Sequence, residues 1–310
     1  MINTDSLRTK AIDLAIQGKL TKQLPEDGTA DELLTQITAE KKERVKKGLS
    51  KREKDLPAVS ADEKIFEIPD SWLWCRLGDV FDVSMGQSPK GENLGDEGME
   101  FHQGKIFFGD IFLDESHQYT TEVTRVAYAN SVLLCVRAPV GIANITPRDI
   151  CIGRGLCALL PLAGVDPLYL FYFLRNSRKE LEKKGTGSTF SAINVDVVKN
   201  YPIPLPPIKE QKRIVQSLND IFEQAKIIDE LQAQYIDNLE MLKKRLISVA
   251  IQGKLTNQLE DDGNAEDLFK GLKREKEKLY QNGEIKKEKP LPDITEDETP
   301  FSIPLNVSVK

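Results

Sequence analysis

Between Pro207 and Gly253 the chain contains neither glycine nor proline. Within that stretch Ile214, Ile221, Ile228, Tyr235, Leu242 and Val249 recur every seven residues. Leu218, Ala225, Gln232, Leu239 and Leu246 form a second series, interleaved with the first at steps of four and three. This heptad stripe argues a coiled-coil helix roughly 60 Å long at 1.5 Å per residue, within a region assigned to residues 207–256. A polar seam residue such as Gln232 can fix register. The competing expectation is a core helix of a globular bundle, although helices beyond about 25 residues are uncommon there. A long seam with no full-length partner in its own chain implies an outside partner. A second copy is the simplest one, because two-fold pairing is the commonest oligomer geometry.

The end of that helix is written twice. "AIQGKLT" occurs at Ala15–Thr21 and at Ala250–Thr256. Sliding the sequence by 235 positions extends the match without a gap from Leu7 to Pro69, with about 28 of 63 positions identical. A single duplication at this spacing is no solenoid, whose repeats recur every 20–50 residues or so. Each copy predicts a helix ending near Gly18 or Gly253, where glycine suits a helix C-terminus. A turn containing Asp27-Gly28 or Asp262-Gly263 follows. A second helix then starts, capped by Thr29 or Asn264, with acidic residues in its first turn, and runs to about Gly48 or Gly283. A charged connector leads to "FEIP" or "FSIP". Leu7, Ala11 and Leu14 match the end of the long helix, so the N-terminal copy begins with a helical stub.

The segment of roughly 70–206 alternates short apolar runs with Gly, Asn, Asp and Pro. "SVLLCVRAP" (131–139) and "LCALLPL" (156–162) read as buried strands, and "DPLYLFYFLRNSRKELEKK" (166–184) reads as a helix. "YPIPLPP" (201–207) is an extended hand-over, because its prolines exclude helix and central strand. The fold class expected is α+β: one mixed recognition-type domain of short strands attached to long helices. Four regions follow: a helical repeat with connector at 1–69, the middle domain at 70–206, the long helix at 207–256 and the second repeat at 257–310.

Several chemistries are disfavoured. "GTGST" (185–189) lacks the Lys-Ser/Thr of a phosphate loop and does not follow a strand. There is no Asn/Asp-Pro-Pro-aromatic motif, and two histidines leave little room for a Ser/His/Asp set. No cofactor and no metal site is expected. Cys75, Cys135, Cys151 and Cys157 form no C-x-x-C pair and sit among apolar neighbours, as buried reduced thiols do. No apolar run reaches the roughly 18 residues that span a bilayer, and a cytoplasmic protein is expected. The formal net charge is -6, with 30% charged residues, which argues against simple basic coating of DNA.

Taken in order, "WLWCRLGDVFDVSMGQSPKG", "RAPVGIANI" and "GTGSTFSAINVDVVKNYPIPLPPIKEQKRIV" resemble the specificity subunit of type I restriction–modification systems. "IPLPPIKEQKRIV" is the most specific part. The resemblance covers nearly the whole chain and implies a half-length or truncated form with one target-recognition domain. It further implies a non-catalytic subunit that reads one half of a split site in double-stranded DNA. It would scaffold methyltransferase (M) subunits, then a restriction (R) subunit, and the long helix would make it a homodimer. The other class compatible with these residues is a coiled-coil scaffold whose middle domain binds protein. Residues 70–206 carry 13 Lys and Arg against 16 Asp and Glu, so DNA affinity without partners is expected to be weak. Candidate DNA contacts lie in loops beside glycines. They are Gln87, Ser88, Lys90, Lys105, Arg125, Arg154, Lys184, Thr186, Ser188 and Thr189, each with solvated surface as its bland alternative.

Overall fold

The apolar run Val132–Cys135 is buried along its whole length, which requires cover on both faces. A computed structural model of the chain shows how that cover is supplied. It describes all residues except 51, 53, 186–191, 258, 287–288, 290, 293 and 302–310. In chain order the elements are α1 (Thr4–Ile16), α2 (Ala30–Lys46), β1 (Leu73–Arg76), α3 (Leu77–Val80) and β2 (Phe81–Met85). Then come β3 (Leu94–Gly95), β4 (Met99–His102), β5 (Tyr119–Thr120), β6 (Val126–Ala127), β7 (Val132–Cys135) and β8 (Ala143–Ile145). The remainder are β9 (Ile150–Ile152), β10 (Leu156–Pro161), α4 (Pro167–Lys183), α5 (Val195–Lys199), β11 (Pro202–Leu205), α6 (Ile208–Ile251) and α7 (Ala265–Gln281). The architecture is α+β, as the sequence predicts.

One sheet has the order β2-β10-β7-β8, and a second has the order β3-β5-β4-β9-β6 with a parallel β4–β9 pair. Alternation along β7 divides the interior. Val132 and Leu134 join a large core shared with the helices. Leu133 and Cys135 join a smaller core with Ile150, Ile152 and Leu156. Helix α4 closes the large core: Asp166 caps it by accepting from the Leu168 amide at 2.9 Å, and Leu170, Leu174 and Leu181 are buried. The proline-rich β11 pairs only with β1, in a two-stranded sheet. All four cysteines are buried and free.

The motif that opens α6 is a structural tie. Buried Glu210 accepts hydrogen bonds from Gln23 Nε2 (2.8 Å), Thr21 Oγ1 (3.1 Å) and Trp72 Nε1 (2.8 Å). Gln211 accepts from the Asp166 amide at 3.0 Å, and Arg213 pairs with Asp27. The "KEQKR" stretch thus joins the first repeat, the middle domain and the long helix.

The chain divides into two units, Met1–Ile228 and Asp229–Lys310. The heptad stripe has a different environment in each, and the expectation of one seam reserved for an outside rod is corrected accordingly. Ile214 and Leu218 belong to the large core, Ala225 is buried, and Ile221 packs on that core's edge. Helix α4 supplies part of the cover: Tyr172 stacks edge-on against Phe222 and donates to Asn219 Oδ1 at 2.8 Å. Heptad spacing places these residues on one stripe whatever covers it. In the second unit Tyr235, Leu239, Leu242 and Leu246 are exposed; Ile228 at the boundary, Gln232 and Val249 are half-buried. No described helix is long and apolar enough to cross a membrane.

Candidate nucleic-acid interface

Strand pairing gathers the loops into one place. Leu156 pairs with Cys135 and Cys157 with Met85, so the start of β10 lies beside the ends of β7 and β2. The chain leaving β2 stays at this pole: the Gly86 amide donates to Leu156 O at 2.9 Å, and the Gln87 amide to Ile152 O at 3.0 Å. Gly86 packs directly against the Gly153 carbonyl, and Gly155 against the carbonyl of Gln103. A Cβ at either glycine would collide with backbone, so glycine is what lets these loops touch.

Side chains complete the assembly. The Arg154 amide donates to Ser88 Oγ at 3.3 Å, and Thr124 Oγ1 donates to Gln87 O. The Lys90 amide donates to Glu122 Oε2 at 3.0 Å, and the Ile152 amide donates to Arg125 O at 2.9 Å. Gln87, Ser88, Lys90, Arg125 and Arg154 therefore form one surface, with the side chains of Gln87, Lys90, Arg125 and Arg154 exposed. Lys105 follows Gln103 and Gly104 at its edge and is exposed. Lys184 stands apart: it caps the end of α4, with its ammonium 5.9 Å from the centre of the Tyr201 ring. Thr186, Ser188 and Thr189 lie outside the described residues. The chain returns from them at Ala192, which bridges to Arg137 beside β7.

A buried network behind this surface has no signal in the sequence. Glu100 accepts from Arg148 Nε (2.5 Å) and Nη2 (2.7 Å) and from the Ser116 amide (2.9 Å), and its Oε1 lies 2.7 Å from His102 Nε2. Burial opposes the charge of Glu100, but Arg148, the Ser116 amide and His102 outweigh it and hold the carboxyl at about 2. Burial pushes the His102 imidazole below its ordinary range, against the pull of Glu100. Arg148 also donates to Leu113 O and Asp114 O. The network thereby fastens both ends of the 103–116 loop, which carries Lys105. Its partners lie 2 to 48 residues apart in the chain, so no local spacing reveals it.

The surface mixes exposed cations with amide and hydroxyl groups on backbone-braced loops, which suits phosphate contacts together with hydrogen bonds to base edges. Among the described residues no His/Cys/Asp/Glu group has the arrangement of a metal site.

A domain of two larger sheets and a two-stranded one, whose loops meet at one pole and which is followed directly by a long heptad helix, defines a recognition module on a helical support. Residues 69–234 match the type I restriction modification DNA specificity domain, and the chain belongs to that family. It is 29% identical over 365 aligned residues to the type I restriction enzyme EcoEI specificity subunit of Escherichia coli, covering 96% of this chain and 59% of that one. The putative MjaX specificity subunit of Methanocaldococcus jannaschii is 34% identical over 233 residues, covering 74% and 53%. The crystal structure of the HsdS subunit from Thermoanaerobacter tengcongensis matches with a TM-score of 0.50 and 31% identity, over 81% of this chain and 54% of that one. The chain spans between half and two thirds of the length of these relatives.

Proposed function

We propose that this chain is a non-catalytic, cytoplasmic DNA-specificity subunit that reads one half of a bipartite target for a type I restriction–modification complex. Its regions would work as a recognition domain (70–206) held by a repeat (1–69), a long helix (207–256) and a second repeat (257–310). The observation that carries this reading is the pole where Gln87, Ser88, Lys90, Arg125 and Arg154 converge from three separate loops. Thr186, Ser188 and Thr189 belong to the same proposal through their sequence position, and Lys184 contacts the flank. Methyltransferase subunits supply the reaction and additional positive charge, and a restriction subunit joins the assembly. The exposed half of the seam, Tyr235, Leu239, Leu242 and Leu246, pairs two copies.

The test is binding of a pool of short randomised duplexes, with and without a methyltransferase subunit of the family. Salt-dependent enrichment of one sequence supports the reading, and equal recovery of all sequences overturns it. Solution mass tests the pairing: a dimer gives about 70 kDa, twice the 34.9 kDa chain.

A further inference from the structure

Beside the recognition pole, helices α1, α4 and α6 and the 105–112 loop enclose a groove of about 1210 Å³ within the first unit. Besides Arg8 on α1, which pairs with Asp5, four cations line it from three segments: Lys105 on the loop, Arg175 and Arg178 on α4, and Lys226 on α6. All four are exposed, and none has an ion-pair partner among the described residues. Three acids also line the groove. Asp5 pairs with Arg8, which leaves Asp110 and Glu223. In a chain of net charge -6, this is a local excess of positive charge.

The groove shares Lys105 with the edge of the recognition pole. Arg175 and Arg178 lie one turn apart on the open face of α4. Burial pushes the Cys135 thiol up to about 12, and the two charges acting against that shift are Lys105 and Arg178. Cys135 is the last residue of β7 and pairs with Leu156, next to the turn that presents Arg154. Lys105 and Arg178 therefore lie near a strand end that, through its pairing with Leu156, neighbours the turn carrying Arg154.

We propose that Arg175 and Arg178, together with Lys105, form a track for the DNA phosphates that flank the bases read at the pole. The track rests on the DNA-reading function proposed above and adds residues that no glycine-flanked loop contains. Phosphate contacts fix register and carry no sequence information. They supply the electrostatic attraction that residues 70–206 lack as a whole.

The experiment measures binding of the full chain, with a methyltransferase subunit, to the duplex enriched above and to a scrambled duplex across a salt series. The R175A/R178A variant is expected to lower affinity for both duplexes by the same factor. It should make the dependence of log K on log salt shallower by about one unit per lost contact. Both side chains are exposed, so the thermal midpoint should stay unchanged. R175K/R178K should restore the slope. If wild type binds and R175A/R178A keeps the wild-type slope, the track is refuted while the reading function stands. A variant that loses only discrimination between the two duplexes also refutes it. If wild type selects no duplex at all, the reading function itself fails, and the track fails with it.

Discussion

The two repeats are the same local structure in opposite surroundings. Gly18 and Gly253 both adopt positive φ, at 69° and 66°, and both amides donate to the residue three before them. Gly28 and Gly263 match at φ 77° and 78°, and Gly48 and Gly283 at 72° and 75°. Lys19 donates to the Gln17 side chain at 2.7 Å, and Lys254 to that of Gln252 at 2.7 Å. Burial is what separates the copies. Leu33 is 3% exposed and its equivalent Leu268 is 68%; Ile16 is 4% and Ile251 is 61%. The first copy holds the recognition domain through this face. The Ala30 amide donates to Ser71 O at 2.9 Å, Glu40 accepts from the Ala163 amide at 2.6 Å, and Lys41 donates to Gly78 O. Glu275 and Lys276 repeat the residue types of Glu40 and Lys41. Local sequence therefore dictates the helix, cap and turn, while tertiary context alone decides whether the apolar face becomes core.

The sharpest test of that difference is Glu210→Ala. The substitution leaves the buried Trp72 donor without its acceptor and removes one acceptor from Thr21 and Gln23, which are partly exposed. At about 1–3 kcal/mol for the buried Trp72 donor left unpaired and about 1 kcal/mol for each of the two partly exposed bonds, a loss of about 3–5 kcal/mol is expected in urea unfolding of the first unit. A loss below about 1 kcal/mol would mean that the first repeat is held by its apolar face alone. A second test compares equivalent leucines. Leu33→Ala should cost about 2–4 kcal/mol, because it opens a cavity in the large core. Leu268→Ala should fall within about 0.5 kcal/mol in the isolated chain. Equal losses would show that the second face is covered in solution.

What the sequence reveals and what it hides follow the same division. The caps at Thr29 and Asn264, the glycine turns, α4 and the long helix are legible because each depends on residues within a few positions of one another. The glycine-flanked loops are legible as loops, and strand pairing brings Gln87, Ser88, Lys90 and Arg154 together. The role of "KEQKR" is hidden, because Glu210 meets Thr21 across 189 positions and Trp72 across 138. The burial of Ile214 and Leu218 is hidden for a related reason: a heptad stripe has the same appearance against a domain core as against another helix.

The smallest expected effect isolates the shared part of the two repeats. Gly28 closes its turn at φ 77°, ψ -158°, and Gly263 at φ 78°, ψ -166°, a region that only glycine occupies readily. Surroundings contribute little at either site: a Cβ at Gly28 would approach only the far end of the Glu32 side chain, and a Cβ at Gly263 would meet nothing within 4 Å. Backbone strain alone therefore sets the cost of alanine, about 1–2 kcal/mol for each turn. The readout is hydrogen exchange at the Asp27 and Asp262 amides, which close the two turns by donating to Leu24 O at 3.0 Å and to Leu259 O at 3.1 Å. Gly28→Ala and Gly263→Ala should raise exchange by the same factor, roughly tenfold, since 1.4 kcal/mol corresponds to a factor of ten. A tenfold rise at Gly28 with none at Gly263 would show that the second turn forms only when its face is covered, and that the two copies do not share a local fold.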